Sequence, residues 1–336
     1  MWRKLFLAAC VLLALCHFSE ARRKTRVDNC IGRCNNVVNP SALCQCNPRC
    51  HEFSNCCRDK VSRCGPAPTQ SPSPGSNATF AELSQFFTTL WGSDTNSVNI
   101  TVNYQGKTNS SNKADMAPQP LFRELPKKIC DKTTYKTFFV LLDNYNHRVG
   151  QSEDRLQVEK NEENEFLNAI LSTTVMAKTH EFLKRKGLVP FSKNGFKNKL
   201  REMWFNTYSR SGGTQDTSGF EHVFVGELKH GSVSGLHSWL QFYNEERYNR
   251  LNYMGWIYKK KHGILGLKFK WLNKIKPIST IQVGPSPEFD IAVLSTCFLV
   301  NPPRGNCQFK IGKDKLTIKV YKVNGSPTKI GSAFLQ

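Results

Sequence analysis

Two histidines of this 336-residue chain stand close together in unusual settings. His222 lies in Ser218-Gly219-Phe220-Glu221-His222-Val223-Phe224-Val225-Gly226-Glu227, and His237 in Gly235-Leu236-His237-Ser238-Trp239. The first segment is expected as a strand and the second as the start of a helix, with a glycine-containing turn between them. That layout can bring both imidazoles to one cleft. An imidazole titrates near neutrality and serves as either base or acid. Two histidines with a lysine suit cleavage of RNA by its own 2′-hydroxyl. The reaction needs a base on that hydroxyl, an acid on the leaving 5′-oxygen and a cation on the pentacoordinate phosphate. By themselves, two such histidines more often serve structure or surface than catalysis.

The elements that must position them divide into helices first and strands later. Helical spacing runs through Phe80–Leu90, Tyr135–Leu142, Phe166–Leu183 and Phe196–Tyr208,. The polar stretch Ser93–Pro120 reads as loop. Strands are expected at Phe220–Leu228, Tyr253–Tyr258, Ile264–Trp271, Ile278–Val283, Cys307–Ile311 and Leu316–Val323, interrupted by helices at Gly235–Arg247 and Pro287–Leu299,. This order predicts an α+β domain over residues 80–336. There is no Gly-rich phosphate loop, nucleophile elbow or His-Glu-x-x-His pattern. No Ser/His/Asp or Cys/His arrangement suggests a protease.

The charge points to a polyanion. Lys+Arg number 47 against 26 Asp+Glu, a net +21,. Trp256–Pro277 carries seven lysines and no acid, interleaved with Trp256, Tyr258, Phe269 and Trp271. In Lys268-Phe269-Lys270-Trp271 the lysines alternate with aromatics at strand spacing, as a phosphate track would require.

The front of the chain fixes the expected compartment. Arg3-Lys4, the short apolar run Leu5–Cys16, and Ser19 and Ala21 before a cut describe a secretory signal peptide over residues 1–21,. The run is too short to span a bilayer. A soluble, secreted, extracellular protein is expected, and nothing demands more than a monomer. Asn77, Asn99, Asn109 and Asn324 head glycosylation sequons,. Eight cysteines, Cys30, Cys34, Cys44, Cys46, Cys50, Cys56, Cys57 and Cys64, crowd into 35 residues. So small a segment cannot build an apolar core, and four disulfides must replace it. Spacing alone leaves the connectivity open. Secretion and the adjacent Cys56-Cys57 pair argue against zinc. A Pro/Ser-rich linker over 67–79 separates this module from the large domain. Cys297 and Cys307 flank a turn and could pair, which would leave Cys130 free and buried.

The cysteine spacing, ending in Asn55-Cys56-Cys57-Arg58-Asp59, resembles the somatomedin B domain over residues 26–66. That resemblance implies an extracellular protein partner. Ser218–Leu228, Gly235–Asn244, Tyr253-Met254-Gly255-Trp256 and Lys276-Pro277 followed by Gly284-Pro285-Ser286-Pro287-Glu288-Phe289 closely resemble the EndoU family of uridylate-specific endoribonucleases. The resemblance implies an EndoU-like catalytic domain with a helical first part and an antiparallel-sheet second part. It places the family's catalytic residues on His222, His237 and Lys276. By analogy His237 is the general base, His222 the general acid and Lys276 the phosphate-stabilising cation; the reverse pairing of the histidines stays open. Thr280 and Tyr321 match substrate-binding positions. Glu221 and Glu227 match acidic positions that either bind a divalent ion or orient His222 and lysine side chains. On a strand they would share a face. The implied substrate is single-stranded RNA, cut 3′ of uridine to leave a 2′,3′-cyclic phosphate. Mn2+ or Ca2+ is implied for activity, with no site assigned. The alternative is a non-enzymatic extracellular adaptor binding heparin-like polyanions, which would not require the His222, His237, Lys276 triad.

Overall fold

The computed structural model describes residues 29–30, 42, 44–46, 50, 55–60, 64, 78–126, 129, 131–153, 155–300 and 305–336. The signal peptide, the linker up to Asn77, Cys34 and Cys130 lie outside the described residues. The chain divides into two compact units, Met1–Thr69 and Gln70–Gln336.

In the first unit Cys30 pairs with Cys46, Cys44 with Cys57, and Cys50 with Cys56. Cys64 is disulfide-bonded as well. The sulfurs of Cys30, Cys46 and Cys57 are mutual neighbours, but all three are oxidised, so they are not metal thiolates. Gln45 and Cys56 bridge in parallel, and the Asp59 carboxylate accepts the Cys30 N–H at 3.0 Å.

The second unit opens with helix α1 (Phe80–Trp91), whose Thr79 cap and Glu82 form a reciprocal capping box,. Helices α2 (Thr133–Leu141), α3 (Gln157–Leu171), α4 (Thr174–Arg185) and α5 (Lys193–Trp204) follow. The single apolar run expected over Phe166–Leu183 is therefore two helices. Thr173 makes the break, because its hydroxyl caps α4 by accepting the Met176 N–H,.

The expected strand at Phe220–Leu228 is corrected. Residues Glu221–Val225 form a wide π-helical turn, and only Glu227–Lys229 is strand, β1. Residues 216–227 are buried throughout, so the run has no alternation to separate strand from helix,. Packing chooses helix: the rings of Phe220 and Phe224, one helical turn apart, meet tilted with centroids 5.0 Å apart, and both enter a cluster with Phe138. The Ser218 hydroxyl caps the turn on the Glu221 N–H, and Gly226 ends it at φ +98°.

Strand β1 pairs with β2 (Ser232–Ser234) in a short hairpin. After α6 (Trp239–Arg247) come two antiparallel three-stranded sheets. The first is β3 (Leu251–Lys259), β4 (Ile264–Trp271) and β5 (Lys274–Gln282). The second is β6 (Asn306–Ile311), β7 (Asp314–Val323) and β8 (Ser326–Leu335). Between the sheets in sequence runs α7 (Pro287–Val300), apolar nearly all round and buried nearly throughout, as a central helix must be,. The 93–120 stretch contains no helix or strand, as expected, yet it is tied to β3 by Thr108 N–H to the Trp256 carbonyl and Met116 N–H to the Met254 carbonyl. Cys297 on α7 and Cys307 on β6 form a disulfide.

The overall architecture is α+β: helices, then antiparallel sheets, preceded by a disulfide-rich unit. Among the described residues no helix is long and apolar enough to cross a membrane.

Candidate active site

The two histidine segments are joined backbone to backbone. The N–H of Leu236 donates to the His222 carbonyl at 3.1 Å, and that of His237 to the Val223 carbonyl at 2.8 Å. This approach needs Gly235. A Cβ there would lie 1.7 Å from the His222 carbonyl oxygen, and φ is +66°. Leu236 follows at φ +58°, a left-handed conformation costing roughly 1–2 kcal/mol in a non-glycine residue,. The two backbone hydrogen bonds hold it there. His237 then directly precedes Ser238, which caps α6 by accepting the Gln241 N–H.

The buried His222 is held at both ring nitrogens. Nδ1 is 2.8 Å from Glu227 Oε2, and Nε2 is 3.2 Å from the Ser332 hydroxyl. A carboxylate only accepts, so Nδ1 carries the proton. Burial lowers the His222 pKa, and Glu227 works against that fall. Glu227 is itself fixed by the Thr217 hydroxyl, with an Arg210 nitrogen at 3.5 Å. Burial raises its pKa, but His222, Arg210 and Thr217 outweigh it and leave the carboxyl below its usual range.

His237 has different backing. Its Nδ1 lies 3.1 Å from the Thr280 carbonyl and 3.3 Å from the Ser279 hydroxyl. The carbonyl is free because β5 is an edge strand of its sheet. A carbonyl only accepts, so Nδ1 is the protonated nitrogen and Nε2 keeps its lone pair. Burial, then the positive charge of Lys276, then His222 push its pKa well below the ordinary imidazole value. One face of the ring stacks on Phe334, centroids 4.7 Å apart and planes 10° off parallel.

Lys276, third residue of β5, is buried and donates to the Gly235 carbonyl at 2.5 Å. Burial lowers its pKa to about 8, and Glu227 offsets part of that. Thr280 lies four residues further along β5, its hydroxyl 2.6 Å from that of Tyr258. Tyr321 on β7 is in register with Ser332 and stacks at 6.4 Å on Phe334, which covers His237. His237, Thr280 and Phe334 also line a cavity of about 40 Å³. The structure thus brings His222, His237, Lys276, Thr280 and Tyr321 to one place.

Glu221 and Glu227 do not share a strand face, since Glu221 lies on the helical turn. The Glu221 carboxyl is fully buried with no hydrogen bond to either oxygen, and Thr217 donates to Glu227 instead. Burial, Glu153 and Glu227 push it up to about 10, so it is neutral at pH 7. A divalent ion needs several free oxygen donors. Glu227 is committed to His222 and Thr217, and Arg210 crowds it. Among the described residues the only close group of three His, Cys, Asp or Glu ligands is the disulfide-bonded Cys30, Cys46 and Cys57. The two glutamates do not fit a metal site; Glu227 fits an orienting role on His222.

Two contacts escaped the sequence reading. Ser332 and Phe334 sit on β8, a strand not expected from the sequence. Its signal was present in the period-two series Thr328, Ile330, Ser332 and Phe334,, diluted by Gly325, Pro327 and Gly331. Of the sequon asparagines, Asn99, Asn109 and Asn324 are exposed, and Asn77 lies outside the described residues.

The fold is a helical part followed by antiparallel sheets, with two histidines and a buried lysine brought together, and comparison with known proteins places it in a class of RNA-cleaving domains. The family model described as Endoribonuclease XendoU matches residues 82–335, and that of the somatomedin B domain matches 28–67. The chain belongs to the XendoU endoribonuclease family and carries a somatomedin B domain before the catalytic one. It is 35% identical to the uridylate-specific endoribonuclease of Bos taurus, covering 92% of this chain and 76% of that protein. It is 32% identical to the protein of the same name in Paralichthys olivaceus, covering 98% and 96%. The solved structure of XendoU, described as a splicing-independent snoRNA-processing endoribonuclease, superposes with a TM-score of 0.67 at 34% identity, covering 76% of this chain and 96% of that one.

Proposed function

We propose that this endoribonuclease is secreted and cuts single-stranded RNA on the 3′ side of uridines by attack of the 2′-hydroxyl. His237 Nε2 takes the proton from that hydroxyl, and O2′ bonds to phosphorus. The P–O5′ bond breaks, and His222 Nε2–H protonates the leaving 5′-oxygen. The products are a 2′,3′-cyclic phosphate and a free 5′-hydroxyl. Lys276 balances charge on the pentacoordinate phosphate.

The observation that carries this assignment is the unequal backing of the two Nδ1 atoms. A carbonyl behind His237, with Lys276 nearby, keeps its imidazole neutral and basic at Nε2. A carboxylate behind His222 supports the protonated ring an acid must have. Thr280 and Tyr321 are the residues we assign to the uridine; a 40 Å³ cavity holds only a few waters, so the base would lie across its mouth,.

The names of its relatives and the fold of XendoU support uridylate specificity. The somatomedin B likeness and the disulfides support an extracellular location, with a signal peptide over 1–21, a partner-binding module over 26–66, a linker over 67–79 and the catalytic domain over 80–336. Dependence on Mn2+ or Ca2+ is part of the proposal through the family likeness, but no step above uses an ion. Chelation followed by add-back of each ion tests it.

The decisive test compares an oligonucleotide holding one uridine with its 2′-deoxyuridine counterpart. Cleavage of the first alone, with a cyclic phosphate end detected by mass spectrometry, is expected. Equal cleavage of both would eliminate the 2′-hydroxyl as nucleophile. Rates should also fall steeply with salt, because phosphate contacts dominate RNA affinity.

A further inference from the structure

Thr280 is tied at two points. Its carbonyl accepts from His237, and its hydroxyl meets that of Tyr258 at 2.6 Å. Tyr258 is on β3, two strands away. In register, Tyr258 pairs with Gly266 on β4, and Gly266 pairs with Thr280 on β5. An ordinary side chain at the middle position would keep the outer two apart. Gly266 has none: a Cβ there would lie 2.3 Å from the Tyr258 ring. The ring therefore lies across bare backbone, which lets a β3 hydroxyl reach a β5 hydroxyl. A register irregularity next to Tyr258 accompanies this crossing,.

We propose that Tyr258 is a specificity-determining positioning residue, which donates its phenolic proton to Thr280 Oγ1 and so turns the Thr280 hydroxyl into a fixed donor toward the base. A hydroxyl has one proton. If its oxygen accepts from Tyr258, its own proton points elsewhere. A phenol is a stronger donor than an aliphatic alcohol, and 2.6 Å is a short O–H···O contact. The ammonium of Lys260, 5.2 Å from the centre of the Tyr258 ring, draws electron density from the phenol and favours the same direction,. A fixed donor suits the O4 carbonyl of uracil. It opposes the exocyclic amino group that cytosine presents there, because two donors would face each other unpaired.

The inference rests on the reading that Thr280 faces the base, and the test separates the two. The probes are deoxynucleotide strands carrying one ribouridine or one ribocytidine. kcat/KM is measured on both for wild type, Tyr258→Phe, Gly266→Ala, Thr280→Ala and the Tyr258→Phe/Thr280→Ala double variant. Loss of one neutral hydrogen bond predicts that Tyr258→Phe lowers the uridine-to-cytidine ratio about 3- to 10-fold with melting temperature little changed. Thr280→Ala should lower it at least as far, and the double variant no further, because both act through one hydroxyl. Gly266→Ala, which displaces the ring, should match Tyr258→Phe. An unchanged ratio in Tyr258→Phe, or an equal loss on both probes, with discrimination lost in Thr280→Ala, overturns the relay and leaves Thr280 as reader. An unchanged ratio in Thr280→Ala overturns the reading of Thr280 and the relay with it.

Discussion

Replacing Glu227 by glutamine tests the assignment of acid and base most directly. The carboxylate sits 2.8 Å from His222 Nδ1 and is among the groups nearest that ring. Glutamine keeps the shape and a carbonyl acceptor but removes the charge. A hydrogen bond to a charged group contributes about 1.5–3 kcal/mol, and each 1.36 kcal/mol is tenfold in rate. The expected fall in kcat is therefore about 10- to 100-fold. The pH profile carries the sharper information. Glu227 holds the His222 pKa up against burial. Without it the acid loses its proton at lower pH, so the basic limb governed by His222 should move to lower pH. The acidic limb, set by His237 with its separate Thr280 backing, should hardly move. The assay is steady-state cleavage of a uridine oligonucleotide from pH 4 to 9, with a melting curve at each pH to confirm folding. Wild-type kcat in Glu227→Gln, or a uniform loss with no displaced limb, would refute the role of Glu227 behind the acid. A displaced acidic limb would reverse the two histidines.

Three other outcomes follow from the same geometry. Glu221 binds its proton far more tightly folded, at about 10, than at its ordinary 4.5. The native state then holds a proton the unfolded chain releases, so stability declines as pH rises from 4.5 toward 10. Glu221→Gln should remove its share of that decline, so that its stability exceeds that of wild type by about 3 kcal/mol at pH 7 but not at pH 4, read by paired denaturant melts, and a difference independent of pH would contradict it. Gly235→Ala places a Cβ 1.7 Å from the His222 carbonyl at a positive φ. It should destabilise the domain by at least about 1–3 kcal/mol and abolish cleavage, whereas a stable, active variant would refute the close approach. Lys276, lowered to about 8, should lose its charge as the pH rises past that value. Activity should decline further there, above the limb governed by His222, and Lys276→Arg should retain a low residual rate without this second decline; its persistence past pH 8 in the arginine variant would assign it elsewhere.

Local chemistry explains why much of this was legible beforehand. Thr79 with Glu82 announces a capped helix, and Pro287–Val300 is apolar enough to be helical and central. The alternation in Leu316–Val323 marks a strand with one buried face. Residues 218–226 were illegible because they are buried on every side, which erases the period that separates strand from helix,. Strand β8 was obscured by glycine and proline, and with it went Ser332 and Phe334.

Sequence by itself determined which side chains were available: two histidines in glycine-flanked segments, a lysine before a proline, and a cysteine-dense module at the front. Those are matters of residue type and spacing, which the chain carries unfolded. Tertiary structure alone decided what stands behind each histidine. Glu227 turns back onto His222 because the intervening residues are helical rather than extended. His237 finds the Thr280 carbonyl because β5 ends its sheet and leaves that acceptor unpaired. The difference between an acid and a base is thus set by partners 5 and 43 residues away in sequence, contacts that no local pattern encodes.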